Sequence, residues 1–390
     1  MSNDSSQQAA EDPYKQYCDP VDIEKRGVEQ PPPYVFLVEV CVVVSINYTS
    51  AFNTTEDLLL YLAALLNAVA LRYSDMECPK MQFQLNTVFV VEDKFVFGNE
   101  VCDNRTNVSE ENIPVCGFDA EETLNKTTAY VNICTTEYCD IVFHLTREDL
   151  TYYINGTFTA EIDGMAERAG VCTEDKFAIG EDKPPTYSGL LTMAHEIGHL
   201  LGSDHDGCTG AEDCPPEYGN LMSSIDRGMQ NKSRLSNCSK VQIRRLITRL
   251  PPSCIHAITT ANFTNNFYPG ENLTHEAFCK LMHPDAEDVE ASTEDMLECD
   301  IQCCWNETLT FEDRDSSGGL EREARDDAET TTEADSQYTD EENFFCAYHH
   351  LLDGMACGEN KTCFRGFCRN HNWTEIKHDH RTLRTFSGTL

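Results

Sequence analysis

Apolar residues in this chain come in blocks whose spacing changes from block to block, and each spacing predicts an element. VFLVEVCVVVS, beginning at Val35, is a near-continuous β-branched run of strand length, so it predicts a buried strand. Residues 56–74 (EDLLLYLAALLNAVALRYS) are apolar on most faces of a helical repeat. A long helix sandwiched against a sheet is expected there, with Thr54 or Thr55 as its N-cap. FQLNTVFVV (83–91) and DIVFHLT (140–146) read as further strands, with a helix over 120–131 between them. Strands alternating with helices predict an α/β sandwich around a mostly parallel sheet. A short strand at Phe177–Gly180, a Pro184-Pro185 loop and a helix from near Tyr187 to Gly202 come next. Gly202 suits the residue just past a helix end. An amphipathic helix over 239–250 is stopped by Pro251-Pro252.

The same texture divides the chain. Residues 1–33 read as a flexible leader or propeptide remnant, and 34–255 as the α/β domain. Residues 256–310 are looser and cysteine-bearing. Residues 311–342 hold 13 acidic and 3 basic residues among Ser, Thr and Gly, the composition of a solvated, disordered insertion. Residues 343–390 include CGENKTCFRGFC, a small disulfide-stapled unit. The tail as a whole is expected to be small, disulfide-rich and dominated by loops.

Composition narrows the partners. A formal net charge of −38 argues against nucleic acid and acidic headgroups. Twenty cysteines without a recurring CxxC pair imply a disulfide framework made outside the reducing cytosol. Fourteen of 24 asparagines begin an Asn-x-Ser/Thr sequon, against roughly 3 or 4 by chance. A secreted glycoprotein is therefore expected, a monomer acting on extracellular proteins. The first residues, MSNDSSQQAAEDPYKQ, lack the basic and apolar regions of a signal peptide, and Lys25-Arg26 is a candidate processing site. The apolar run Tyr34–Ile46 is 13 residues long and carries Glu39, so no membrane span is expected.

Candidate chemistry lies in residues 195–206, HEIGHLLGSDHD. His195 and His199 stand four apart, so on a helix both imidazoles leave one face and can chelate one ion. Gly202 lets the chain turn with a positive φ, and His205 can return as a third nitrogen ligand. Three protein ligands leave a position for water, the arrangement of a catalytic rather than a structural zinc site. Glu196 then lies beside that water as general base. HExxH alone occurs by chance in about a few per cent of chains of this composition; adding Gly202 and His205 lowers that to the order of one in ten thousand.

HExxHxxGxxHD resembles the reprolysin or adamalysin group of metzincins, which includes snake-venom metalloproteases, ADAMs and ADAMTS-like enzymes. The resemblance covers residues 34 to about 254. It implies a zinc endopeptidase fold, with Met222 of Asn220-Leu221-Met222-Ser223-Ser224 as a methionine turn beneath the metal and Asp206 as the subgroup's mark. It also implies a Cys172–Cys254 disulfide, and a substrate peptide added as a strand to an edge at Phe177–Gly180. A structural calcium ion near Glu39 and Asp140 belongs to the same pattern, although Ile255-His256-Ala257 lacks the usual Asn. Past Cys254, Tyr268-Pro269-Gly270-Glu271 and Cys279-Lys280-Leu281-Met282-His283 resemble a disintegrin-like module, and Asp353–Gly358 the cysteine-rich stretch after it. A short, sequon-dense secreted enzyme of this kind is most similar to tick salivary metalloproteases. Their expected substrates are host matrix or clotting proteins such as fibrinogen, fibrin, fibronectin or gelatin. A competing reading, from another class, is a binding protein that acts through the disintegrin-like tail beside a vestigial protease.

Overall fold

A computed structural model describes residues 23–103, 115–133, 138–154, 157–160, 162–257, 266–308 and 342–377. The first 22 residues, and the acidic insertion up to residue 341, lie outside the described residues.

β1 (Val35–Ser45) runs through the single turn α1 (Ile46–Thr49) into α2 (Thr55–Arg72). Thr54 caps α2 reciprocally with Asp57: its hydroxyl accepts from the Asp57 amide, and the Asp57 carboxylate accepts from the Thr54 amide. The chain continues through β2 (Lys80–Val91), the turn α3 (Asp93–Val96), β3 (Glu100–Asp103), β4 (Val115–Asp119) and α4 (Ala120–Val131). After them come β5 (Ile141–Thr146), β6 (Leu150–Ile154), β7 (Thr157–Thr159), β8 (Gly164–Ala166) and β9 (Phe177–Glu181). α5 (Leu190–Leu200), α6 (Met229–Lys232), α7 (Asn237–Ile247) and α8 (Pro252–Ile255) close this part of the chain.

The main sheet has the order β2-β1-β5-β9-β8, parallel except for the last pair. β1 lies inside it and is covered on both faces, which is why its sequence is apolar at nearly every position. Phe36, Val38, Val40, Val42 and Val44 face the cluster under α2 and α5. Cys41 and Val43 face the smaller cluster under α4, where Cys41 is bonded to Cys139. One expectation is overturned here. The expected edge strand Phe177–Gly180 lies in β9, which is flanked by β5 and β8, so β9 is internal and the sheet ends on β8 at that side. Gly164-Met165-Ala166 is too short for an alternating pattern to reveal it. A second sheet, β3-β4-β6-β7, also has no clear sequence signal; Cys102–Cys116 staples its first hairpin.

The tail carries more strand than the loop-dominated module that was expected. α9 (His275–Met282) lies on an antiparallel sheet of β10 (Glu287–Leu297), β11 (Asp300–Thr308) and β12 (Glu342–His350). β13 (Ala356–Gly358), β14 (Lys361–Phe364) and β15 (Phe367–Arg369) form a small sheet around CGENKTCFRGFC. Cys279–Cys303, Cys304–Cys346, Cys299–Cys363 and Cys357–Cys368 tie these pieces together. Residues on either side of the acidic insertion, read as two modules, thus share one sheet and one core.

Two reciprocal ion pairs fasten the tail to the first part. Arg72 of α2 meets Asp353, with both side chains 2% exposed. Arg365 from the β14–β15 turn meets Asp75 at 2.8 Å and donates to Ser233 O. Residues 23–33, read as leader, are fixed too. Ile23 enters the main core, and Arg26 donates to Ala169 O (2.5 Å) and Val171 O (2.9 Å). Among the described residues, no helix is long and apolar enough to cross a membrane.

Candidate metal centre

α5 places His195 and His199 one turn apart on the same side. The helix ends at Leu200, and Gly202 takes φ +89° while the Ser203 amide donates back to Gly198 O (2.9 Å). This reversal returns the chain and brings His205 to the other two rings. The three Nε2 atoms stand 3.1, 3.1 and 3.0 Å from one another.

The other ring nitrogens set the tautomers. His195 Nδ1 lies 2.7 Å from Leu221 O and His199 Nδ1 lies 2.8 Å from Ser203 O. A carbonyl only accepts, so each Nδ1 carries the proton and each Nε2 presents a lone pair. Burial, then the neighbouring His205, pushes His195 down to about 3 and His199 well below the usual imidazole range. Neutral imidazoles whose lone pairs converge repel each other unless a cation lies between them. This donor set fits zinc.

Glu196 is buried beside the cluster, and burial followed by Asp163 pushes its carboxyl up to about 8. A cleft of about 480 Å³ opens over these groups, lined by Gly164 and Ala166 of β8, Thr192, Glu196, Asp226 and Lys232. A Cβ at Gly164 would stand 2.9 Å from Glu196 Cγ and 2.8 Å from Thr192 Cγ2. Only glycine lets the edge strand pass so close to α5.

Met222 is fully buried. Its Sδ would lie 2.5 Å from a Cβ at Gly198, so the motif's spacer glycine is where the methionine packs. Asp206 lies just past the third histidine. Its amide donates to Met222 O (2.9 Å), and its carboxylate accepts from Ser236 Oγ (2.6 Å) at the start of α7. Gly198, Gly164, Tyr73 and Asp182 are the residues that sequence reasoning missed. Tyr73, at the end of α2, donates through its OH to Ala194 O (2.6 Å) in the second turn of α5 and so ties the two helices together. None of the four carries a spacing signal, because each acts through a contact distant in sequence.

Elsewhere, Cys172 is bonded to Cys254. Glu39 and Asp140 are buried close together: the Glu39 amide donates to Asp140 Oδ2 (2.9 Å), and Glu39 Oε1 accepts from Asn86 (3.0 Å). Burial pushes Asp140 up to about 7.

Residues 37–236 match the Reprolysin_5 description of metallo-peptidase family M12. The chain is similar to venom metalloproteinase BumaMPs1 of Olivierus martensii, 35% identical over 35% of this chain and 36% of that one. It is 30% identical to antarease-like venom metalloproteinase TserMP_B of Tityus serrulatus, over 36% of this chain and 66% of that one. A third relative, "a disintegrin and metalloproteinase with thrombospondin motifs like" of Bombyx mori, is 25% identical over 64% of this chain and 37% of that one. The chain thus spans about a third to two-thirds of these relatives' lengths.

Proposed function

The chain belongs to the reprolysin-type M12 metallopeptidases, and from that premise we propose that it is a secreted zinc endopeptidase. His195, His199 and His205 hold the metal and Glu196 is the general base. The observation that carries this reading is the convergence of three Nε2 atoms within 3.1 Å beside the Glu196 carboxyl. When bound, zinc supplies a Lewis acid for the scissile carbonyl and lowers the pKa of the attacking water.

The chain's own residues do the rest. An extended substrate adds to the open side of β8, which runs along the cleft. Glu196 takes the proton of the attacking water and passes it to the leaving amine. Its protein surroundings favour the protonated form near neutrality, and a cation held by the three histidines would shift it towards the ionised base. The backbone acceptors Leu221 O and Ser203 O keep the ligand rings oriented. Met222 gives the cluster an apolar floor.

The disulfides support secretion, as do exposed sequon asparagines that include Asn47, Asn53, Asn125, Asn231 and Asn372. Extracellular matrix or clotting proteins are the proposed substrates, with fibrinogen and gelatin tried first. The tail is proposed as a disintegrin-like and cysteine-rich exosite for them. The calcium expectation at Glu39 and Asp140 gains no support, since protein donors take up oxygens of both carboxylates.

The test compares the parent with Glu196→Gln, each with and without a zinc chelator. The substitution is expected to lower kcat/KM by about 10³-fold while leaving bound zinc unchanged. Equal cleavage by parent and variant, or cleavage that survives zinc removal, rules the reading out.

A further inference from the structure

A second group of converging histidines, this one a pair, lies in the tail, away from the cleft. His283 is the residue that ends α9, and its amide donates to Cys279 O (3.0 Å). His349 stands on β12 opposite Ile301 of β11. Alternation along the two strands puts Ile301, Cys303 and Trp305 on one face together with His349 and Phe345. α9 covers that face and is pinned to it by Cys279–Cys303. There His283 Nε2 lies 2.8 Å from His349 Nε2. The His283 ring stacks on Trp305 with centroids 3.7 Å apart and planes 22° apart. Phe278 meets the His349 ring nearly at right angles. Packing therefore fixes both rings with their outer nitrogens aimed at each other.

Burial, then His283 and His350, holds His349 below the usual imidazole pKa, so it is neutral at pH 7. Such a pair is satisfied in one of two ways: a single N–H···N bond, or two lone pairs on one ion. Two nitrogens bound about 2.0–2.1 Å from a tetrahedral ion stand about 3.3 Å apart. An opening of about half an ångström therefore turns this contact into a chelate, and the three histidines of the α5 cluster stand only 3.0–3.1 Å apart. Imidazole donors select zinc, copper or nickel over calcium and magnesium.

We infer that His283 and His349 form a second metal site, a two-imidazole clip for a borderline divalent transition ion completed by water. The ion joins the end of α9 to β12, the outer strand, which enters the sheet through β11 and through Cys304–Cys346.

The test counts metal in the full chain after dialysis against micromolar zinc. Four proteins are compared: the parent, His283→Ala, His349→Gln and the control His350→Ala. Each variant of the pair is expected to hold one ion fewer than the parent, with His350→Ala unchanged and cleavage equal in all four. Equal counts in the parent and both pair variants overturn the inference and leave the contact a hydrogen bond. Failure of the α5 zinc reading lowers all four counts together, so the two failures are told apart. Should a variant not fold, crystals of the parent grown with zinc decide. An anomalous peak between the two Nε2 atoms supports the site, and its absence overturns it.

Discussion

Gly198 illustrates what a motif conceals. In HEIGH it stands as a spacer, and spacing alone identifies the histidines and Glu196 around it. The reason for a glycine appears only in three dimensions, where Met222 Sδ occupies the place of its side chain. Gly198→Ala is expected to push Met222 off the floor of the cluster, destabilising the fold by about 1–3 kcal/mol. Cleavage should fall with zinc still bound, and a variant matching the parent in both melting and kcat would sink the explanation. His144 makes a different point, because its strand was legible and its charge state was not. It is fully buried with Nδ1 2.9 Å from Thr127 Oγ1, and burial pushes it down to about 3. The unfolded chain, with an ordinary pKa near 6.5, binds the proton first as pH falls. Between about 6.5 and 3 this residue therefore removes stability as pH falls, by at most about 1.4 kcal/mol per pH unit. Urea unfolding of His144→Leu from pH 7 to pH 4 should show a shallower loss than the parent, and parallel curves would exclude the effect.

At the level of elements, legibility followed burial. β1 and β5 bury nearly all their side chains and α2 most of its own, so their sequences are rich in apolar residues and their limits fall within a few residues of expectation. β8 is three residues long, and β10 opens with Glu287-Asp288-Val289-Glu290, whose acidic content hides a strand that its partner β11 imposes. The start of α5 shows a local competition. Apolar spacing runs back to Tyr187, yet that residue has φ +60° and the helix begins at Leu190. Asp182, at the exit of β9, sets the boundary: it accepts from the Gly189 amide (2.8 Å), Tyr48 OH (2.6 Å) and Tyr61 OH (2.8 Å). It joins the sheet, α2 and the first turn of α5. Asp182→Ala leaves these buried donors unmatched, with an expected loss of about 3 kcal/mol. Its kcat should drop more than its KM rises, since α5 carries the proposed general base and two proposed zinc ligands; unchanged thermal unfolding would refute the assignment.

Over the whole molecule, the tail was foreseen as cysteine-bound but its attachment was not, because an Arg72–Asp353 pair joins residues 281 apart in sequence. Each half gives the other a buried cation. Asp353 also accepts from the Arg365 amide (2.6 Å), so one carboxylate serves both ion pairs. Asp353→Ala strands Arg72 without its anion, at an expected loss of about 3–5 kcal/mol. Calorimetry should show the melting temperature falling, and a melt within a degree of the parent would argue that the pair contributes nothing. The β11–β12 pairing carries a consequence of another kind. Thr308 and Glu342 are partners in register, so the two ends of the acidic segment between them are held one strand spacing apart, about 4.8 Å. Closing a flexible loop costs only about 0.6 kcal/mol more for each doubling of its length. That junction can therefore accept foreign sequence, a tag or a small reporter, while the strands beneath it keep their register.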